Sequence, residues 1–248
     1  MSASWPVHWL ASVDSTNEEA KRRAMASAGF RDQWIVAREQ TRGRGRLGRV
    51  WKSPVGNLYA TALMAWTHPV AMSLRLPFAA ALAMSDVVYA LAPQANCRLK
   101  WPNDVRCDGA KISGILVESG ETPAGRWIAV GLGLNVQFVP EDLGQAGTSL
   151  ADLRGDGLVT PDGAFTALEE AFAVRLAEAL DGFETIRTAW LERAEGIGKA
   201  VRVTAENGPI EGIFTDLGAD GALLLQLPDG SMKTIRAGDV ELIRDVSA

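Results

Sequence analysis

Residues Gln40 to Tyr59 read Gln-Thr-Arg-Gly-Arg-Gly-Arg-Leu-Gly-Arg-Val-Trp-Lys-Ser-Pro-Val-Gly-Asn-Leu-Tyr. Within that stretch four arginines (Arg42, Arg44, Arg46, Arg49) alternate with three glycines (Gly43, Gly45, Gly48). No core can accept such a segment. Glycine leaves its backbone loose, and guanidinium groups are rarely buried without an anionic partner. An apolar, strand-like run from Leu58 to Ala65 follows at once. The fold must therefore hold a cationic loop outside its core while anchoring it to a sheet. Such a loop can close over a phosphorylated ligand. Read alone, it is equally compatible with binding single-stranded nucleic acid or with a plain solvated loop.

Charge balance bears on that choice. The chain of 248 residues carries 25 basic and 30 acidic side chains, a mildly acidic sum that argues against general nucleic-acid binding. A locally basic loop in such a protein suits an anionic small molecule. Its length fits one large or two smaller domains. Cys97 and Cys107 have no metal-ligand spacing and lie far from His8 and His68, so thiols in a reducing cytosol are expected rather than a zinc site. No secretory signal pattern opens the chain, and a cytoplasmic location is expected. Leu74 to Leu91 comes closest to a membrane span, but Arg75, Ser85 and Asp86 interrupt it, and it reads as a core helix.

Periodicity and turn residues give the organisation. Trp5 to Leu10 reads as a strand. Ser15 followed by Glu18 is a capping-box pattern that predicts a helix to about Ala28. Trp34 to Arg38 and Leu58 to Ala65 read as strands around the Arg/Gly loop, and a long helix covers about Ala71 to Leu91. Strands at Arg98–Trp101, Val105–Cys107, Ile112–Glu118 and Trp127–Val136 are separated by Pro102-Asn103-Asp104 and Asp108-Gly109, the pattern of an antiparallel meander. Pro161 to Leu180 and Phe183 to Arg193 read as helices. Composition shifts at Glu195-Gly196-Ile197-Gly198. Five short β-branched runs then alternate with turns at Asn207-Gly208, Asp220-Gly221 and Asp229-Gly230, which predicts a small β-barrel. The expected domains are 1–196 and 197–248.

Three further segments hold more polar and glycine residues than core strands should. Lys100-Trp101-Pro102-Asn103-Asp104 gathers a cation, an amide and a carboxylate around a proline turn. Lys111-Ile-Ser-Gly114 opens a strand with a lysine, and Gly131-Leu-Gly133-Leu-Asn135 places two glycines on one face of an apolar strand. Interior glycines mark places where something lies close to the sheet. Each segment alone could be an edge charge, a turn or a packing detail. Together with the loop they describe an ATP-using site, in which cations neutralise phosphates and a carboxylate holds Mg2+.

On these stretches, together with Ser15-Thr16-Asn17, the chain resembles the biotin protein ligases (biotin–acetyl-CoA-carboxylase ligases). Their order and spacing agree with that family over about residues 5 to 140, and the last fifty residues look like its small SH3-like barrel. The resemblance implies an α+β fold: a class II aminoacyl-tRNA-synthetase-like mixed sheet with helices, plus a C-terminal SH3-like β-barrel. It implies that biotin's carboxylate attacks the α-phosphate of MgATP, giving biotinyl-5′-AMP, and that a lysine of a biotin carboxyl carrier protein then attacks the adenylate. By the same resemblance, Ser15, Thr16, Asn17, Gln40, Arg44, Gly45, Arg46, Lys111, Gly114, Gly131 and Gly133 would bind biotin. Arg46, Trp51, Lys100, Asn103, Asp104 and Asn135 would meet ATP, Asp104 would hold Mg2+, and Lys111 and Arg46 would be catalytic. Ala110 stands where relatives usually have a second basic residue. Only fourteen residues precede Ser15, so a monofunctional ligase without a DNA-binding domain is expected. No DNA or membrane partner is implied, and the expected state is a monomer or weak homodimer. A lipoate or octanoate ligase is the nearest alternative, and an Arg/Gly-loop nucleic-acid module a remoter one.

Overall fold

Leu58–Trp66 (β3) is an almost unbroken apolar run, and it is buried along nearly its whole length. A strand like this can sit only inside a sheet covered on both faces. The computed structural model, which describes residues 5–26, 29–140, 145–156, 158–205 and 208–243, places it there. Ala28 and Asn207, where a helix end and a turn were expected, lie outside the described residues.

The first sheet contains Val7–Leu10 (β1), Gln33–Ala37 (β2), β3, Cys97–Lys100 (β4), Asp104–Cys107 (β5), Ala110–Thr122 (β6) and Gly125–Leu134 (β7), in the order β1-β2-β3-β7-β6-β5-β4. β1 and β2 run parallel, and the other neighbours are antiparallel. The expected meander is β4 to β7. Thr16–Ala26 (α1) crosses one face of this sheet. On the other face lie Leu76–Leu91 (α3) and Pro161–Asp181 (α5), followed by Phe183–Glu192 (α6). The expected single helix from Ala71 is two, because Val70–Ser73 (α2) ends before α3 begins with a proline in its first turn. The stretch Val70–Leu91 is long and apolar enough by composition to cross a membrane, yet 61% of its apolar window is buried inside the protein.

The C-terminal strands Ala200–Ala205 (β8), Gly208–Leu217 (β9), Leu223–Gln226 (β10), Met232–Ile235 (β11) and Asp239–Leu242 (β12) form a second antiparallel sheet, ordered β11-β10-β9-β8-β12. This sheet is open, so the closed SH3-like barrel is not formed: no ladder joins β11 to β12. The turn dipeptides report hairpins, which are local, whereas closure is a non-local pairing that they do not encode. The sheet must nonetheless curl. Four strand steps span about 19 Å when flat, but the chain from Ile235 to Asp239 reaches at most about 14 Å.

Apolar packing runs without a break from the first sheet through α3 and α6 into the second, joining Phe78 and Trp190 to Phe214 and Leu223. Trp101 Nε1 donates to the Gly221 carbonyl at 3.1 Å across that junction. Trp101→Phe is expected to lower stability by about 1 kcal/mol, the net worth of one hydrogen bond. An unchanged urea midpoint would rule that contribution out.

The cysteines also depart from expectation. Cys97 and Cys107 face each other across the β4–β5 ladder, with Cα atoms 4.1 Å apart, and are joined as a disulfide rather than standing as free thiols. Their separation of ten residues gave no hint of this, because only the hairpin register puts them opposite one another.

Candidate functional site

Three of the antiparallel strands, β7, β6 and β5, floor one cleft of about 960 Å3, with α1, the Arg/Gly loop and β12 as its walls. Of the residues to which the resemblance gives a site role, all but Asn135 line it. Asn135 is buried; its Nδ2 donates to the Thr148 carbonyl at 3.0 Å, and its Oδ1 has no partner among the described residues.

At one end, α1 begins over β3 and β7. The Gln40 Oε1 accepts from the backbone N–H of Thr16 at 2.8 Å and from its hydroxyl at 3.1 Å, filling a helix-end donor that has no partner within the helix. Glu18 does not reach back to Ser15 as a capping box would; it pairs with Arg44 at 2.5 Å. Asn17 spans the sheet. Its Nδ2 donates to Glu118 Oε2 (2.8 Å) and to the Leu116 carbonyl (3.2 Å), and its Oδ1 accepts from Thr61 Oγ1 at 2.7 Å. A Cβ on Gly131 would stand 2.4 Å from Asn17 Oδ1, so that glycine is what lets Asn17 lie over β7.

The middle of the floor is covered by Trp51. A Cβ on Gly133 would meet its indole at 2.8 Å, and one on Gly114 would meet it at 3.1 Å. Gly133 and Gly114 are opposite each other in the β6–β7 ladder, so together they make a flat seat for one aromatic ring. The indole N–H has no partner among the described residues. Lys111 Nζ lies 5.3 Å from the ring centroid and 2.7 Å from Asp104 Oδ1. Asp104 faces Lys100 and Gly114 in its two ladders. Asn103, in the turn that begins with a cis Trp101–Pro102 peptide, donates to the Ile115 carbonyl at 2.8 Å.

The Arg/Gly loop is folded back on itself. Gly45 N donates to the Arg49 carbonyl (2.7 Å) and Trp51 N to the Gly43 carbonyl (2.9 Å), with a tip whose Leu47 and Gly48 both have positive φ. A Cβ on Gly43 would meet the Trp51 carbonyl at 2.3 Å, so only glycine permits this crossing. Every arginine at the tip rests on an oxygen. Arg44 also reaches Glu118 at 3.2 Å, and Arg49 pairs with Asp239 of β12. Arg46 donates to Asn103 Oδ1 (3.1 Å) and the Gly238 carbonyl (3.4 Å), with Asp239 at 3.8 Å. Burial is the largest influence on Arg46 and pushes its pKa down, and the carboxylates of Asp239 and Asp104 oppose that shift. A cation held under that strain favours an arriving anion. The loop's entry is fixed by Arg42 N on the Asp14 carbonyl (2.8 Å), while a hydrogen bond from Arg22 holds the Asp14 carboxyl at a pKa of about 2.

Several residues in or behind the cleft carried no assignment from the sequence. Thr61 and Glu118 complete the Asn17 network, and Arg49, Arg106, Glu195 and Asp239 line the far end. Glu118 closes the lysine segment and could have been suspected. Asp239 comes from beyond the composition shift and Glu195 from the shift itself, and no local pattern marks either as part of the cleft.

The biotin/lipoate A/B protein ligase family model matches residues 9–135, and the biotin protein ligase C-terminal domain model matches residues 196–243. The chain is 38% identical to the biotin–[acetyl-CoA-carboxylase] ligase of Paracoccus denitrificans, over 89% of this chain and 94% of that protein. It is 33% identical to the enzyme of that name from Mycobacterium tuberculosis, over 95% and 88% respectively. Among solved structures, the biotin protein ligase from Aquifex aeolicus in complex with biotin and ATP superposes with a TM-score of 0.80 at 28% identity, covering 97% of this chain and 99% of that one. The chain belongs to the biotin/lipoate A/B protein ligase family, as one of its biotin protein ligases.

Proposed function

We infer that this protein activates biotin with ATP to biotinyl-5′-AMP and transfers the biotinyl group to a lysine of a biotin carboxyl carrier protein. The observation that carries this reading is the order of groups across the sheet. The Asn17 network lies over β3 and β7, Lys111 stands on β6 and Asp104 on β5, three strand steps or about 14 Å in all. A ureido ring on the amide and hydroxyls of Ser15, Thr16, Asn17 and Gln40 would put its carboxylate tail toward Lys111. There it would meet the α-phosphate, with Arg44, Arg46 and Gly45 of the loop above.

In the first step a carboxylate oxygen forms a bond to the α-phosphorus, and the bond to the β-phosphate oxygen breaks with its electron pair leaving on pyrophosphate. Lys111 offsets the charge that develops between the two, and Arg46 holds the loop over the product. No covalent bond to the protein forms. In the second, a deprotonated carrier lysine attacks the biotinyl carbonyl and AMP departs. Trp51 and Asn103 would flank the nucleotide, with Lys100 and Asn135 nearby. Asp104 would supply one carboxylate to a Mg2+ ion that arrives on ATP's phosphates, where the ion would neutralise charge. We further propose that residues 1–196 supply the substrate pocket and 197–248 close its phosphate end through Asp239.

Pyrophosphate exchange into ATP, run with biotin and then with lipoate, tests the reading. Exchange that depends on biotin supports it; exchange only with lipoate would move the protein to the other activity of its family. Gly131→Ala gives a further test, because its Cβ would collide with Asn17 and the surrounding hydrogen bonds leave Asn17 no room to yield. Biotin affinity by calorimetry is expected to fall by about 10-fold or more, the cost of a broken buried hydrogen bond. Unchanged affinity would mean that Asn17 does not hold the ligand.

A further inference from the structure

Arg106 stands directly across from Lys111 in the β5–β6 ladder, one strand farther from the Asn17 end of the cleft. It lines the cleft and is largely buried, with 19% of its side chain exposed. One terminal nitrogen donates to Glu195 Oε1 at 2.9 Å, and the other donates to the Gly109 carbonyl. Its Nε–H, and Glu195 Oε2 beside it, have no partner among the described residues. A buried guanidinium normally has its donors filled. This one keeps spare donor capacity next to a cleft that already holds Lys111.

Displacement at phosphorus fixes what belongs there. Attacking and leaving oxygens lie roughly in line on opposite sides of the α-phosphorus. With the biotin ring at the β3–β7 end and its carboxylate at Lys111, the leaving group must point onward, toward β5. Arg106 is the β5 cation on that line, and two or more negative charges leave past it. We propose that Arg106 binds the β- and γ-phosphates of ATP and the departing pyrophosphate, and that Glu195 is a positioning residue that holds the guanidinium in place between turnovers. The electron pair of the broken P–O bond goes to the pyrophosphate oxygen, and no proton moves in this step. The proposal rests on the biotin-activating function inferred above.

The test uses the full-length enzyme with Arg106→Ala, Arg106→Lys and Glu195→Gln, reading KM for ATP, KM for biotin, and inhibition by inorganic pyrophosphate with Mg2+. Arg106→Ala should raise KM for ATP and weaken pyrophosphate inhibition by about 10–100-fold, as for a lost charged hydrogen bond. KM for biotin should hold, and Arg106→Lys should recover part of the loss. Glu195→Gln frees the guanidinium from its competing carboxylate, so pyrophosphate should inhibit at lower concentration. A merely structural ion pair would instead move biotin and ATP constants together and make both partners' variants fail alike; that result overturns the proposal. If Arg106→Ala does not fold, Arg106→Gln, which keeps the aliphatic stem, is read the same way. Wild-type enzyme that releases no pyrophosphate with biotin and ATP would remove the underlying function, and this role with it. Normal wild-type release with wild-type pyrophosphate inhibition in the Arg106 variants would remove only this role.

Discussion

Lys111→Ala is expected to slow biotin-dependent pyrophosphate release by about 10²–10³-fold, the range seen when a preorganised electrostatic donor is removed from an active site. The lysine is the second residue of β6, at the boundary between the glycine floor and the β4–β5 turn, and its ammonium lies 2.7 Å from Asp104. In the absence of an anionic ligand that carboxylate neutralises it. When a carboxylate and a phosphate meet above it, the ammonium can serve them without reorganising. The fold should survive, because Lys111 anchors its neighbours through backbone atoms: its N–H donates to the Ala146 carbonyl, and its carbonyl accepts from Thr148 N. Stopped-flow pyrophosphate detection checks the rate and circular dichroism the fold. A folded variant with the wild-type rate would take Lys111 out of the chemistry.

The second large effect concerns retention of the intermediate. Arg46 ties the loop tip to Asn103 in the β4–β5 turn and to Gly238 and Asp239 of the second sheet. Arg46→Gly removes all of these ties and adds backbone freedom to a segment already rich in glycine. Ordering such a segment costs about 1–2 kcal/mol per residue. The variant should still form biotinyl-5′-AMP but release it about 10–100-fold faster, the equivalent of one or two charge-assisted hydrogen bonds. Lysines on bystander proteins would then be biotinylated without selection. Mixing the variant with an unrelated protein, biotin and ATP, and probing for biotin, measures this. A bystander that stays unlabelled, together with wild-type adenylate retention, would mean the loop does not confine the intermediate.

What the sequence disclosed follows from how each feature is encoded. The loop, the Lys100–Asp104 turn and the two same-face glycines are local patterns of a few residues each, and all of them line the cleft. The strands from β4 to β7 were legible because their turns carry Pro-Asn-Asp and Asp-Gly. Contacts made across the fold were not. Thr61 meets Asn17 at a separation of 44 residues, and Asp239 meets Arg49 at 190. Neither carboxylates nor hydroxyls advertise a partner that far away. The glycines signal a close approach to the sheet, and in the structure Gly131 accommodates Asn17, while Gly133 with Gly114 seats Trp51. A glycine shows that something comes close, but not what. Edge pairing in the second sheet and the Cys97–Cys107 disulfide are matters of register, which turn spacing leaves open. The Arg/Gly loop shows the same limit: its charges are local, but the groups they meet are not. Its tip rests on carboxylates and on Asn103, the oxygens that an arriving phosphate would replace.

The most direct test of the account is a single turnover with labelled intermediate. Enzyme, biotin and ATP labelled at the α-phosphate are mixed, passed through gel filtration, and then given a biotin carboxyl carrier protein. The account predicts label that stays with the protein only when biotin was present, is recovered as biotinyl-5′-AMP after denaturation, and leaves as AMP while one carrier lysine gains biotin. Label bound without biotin, label attached covalently to the enzyme, or retained adenylate that no carrier lysine can discharge would contradict it.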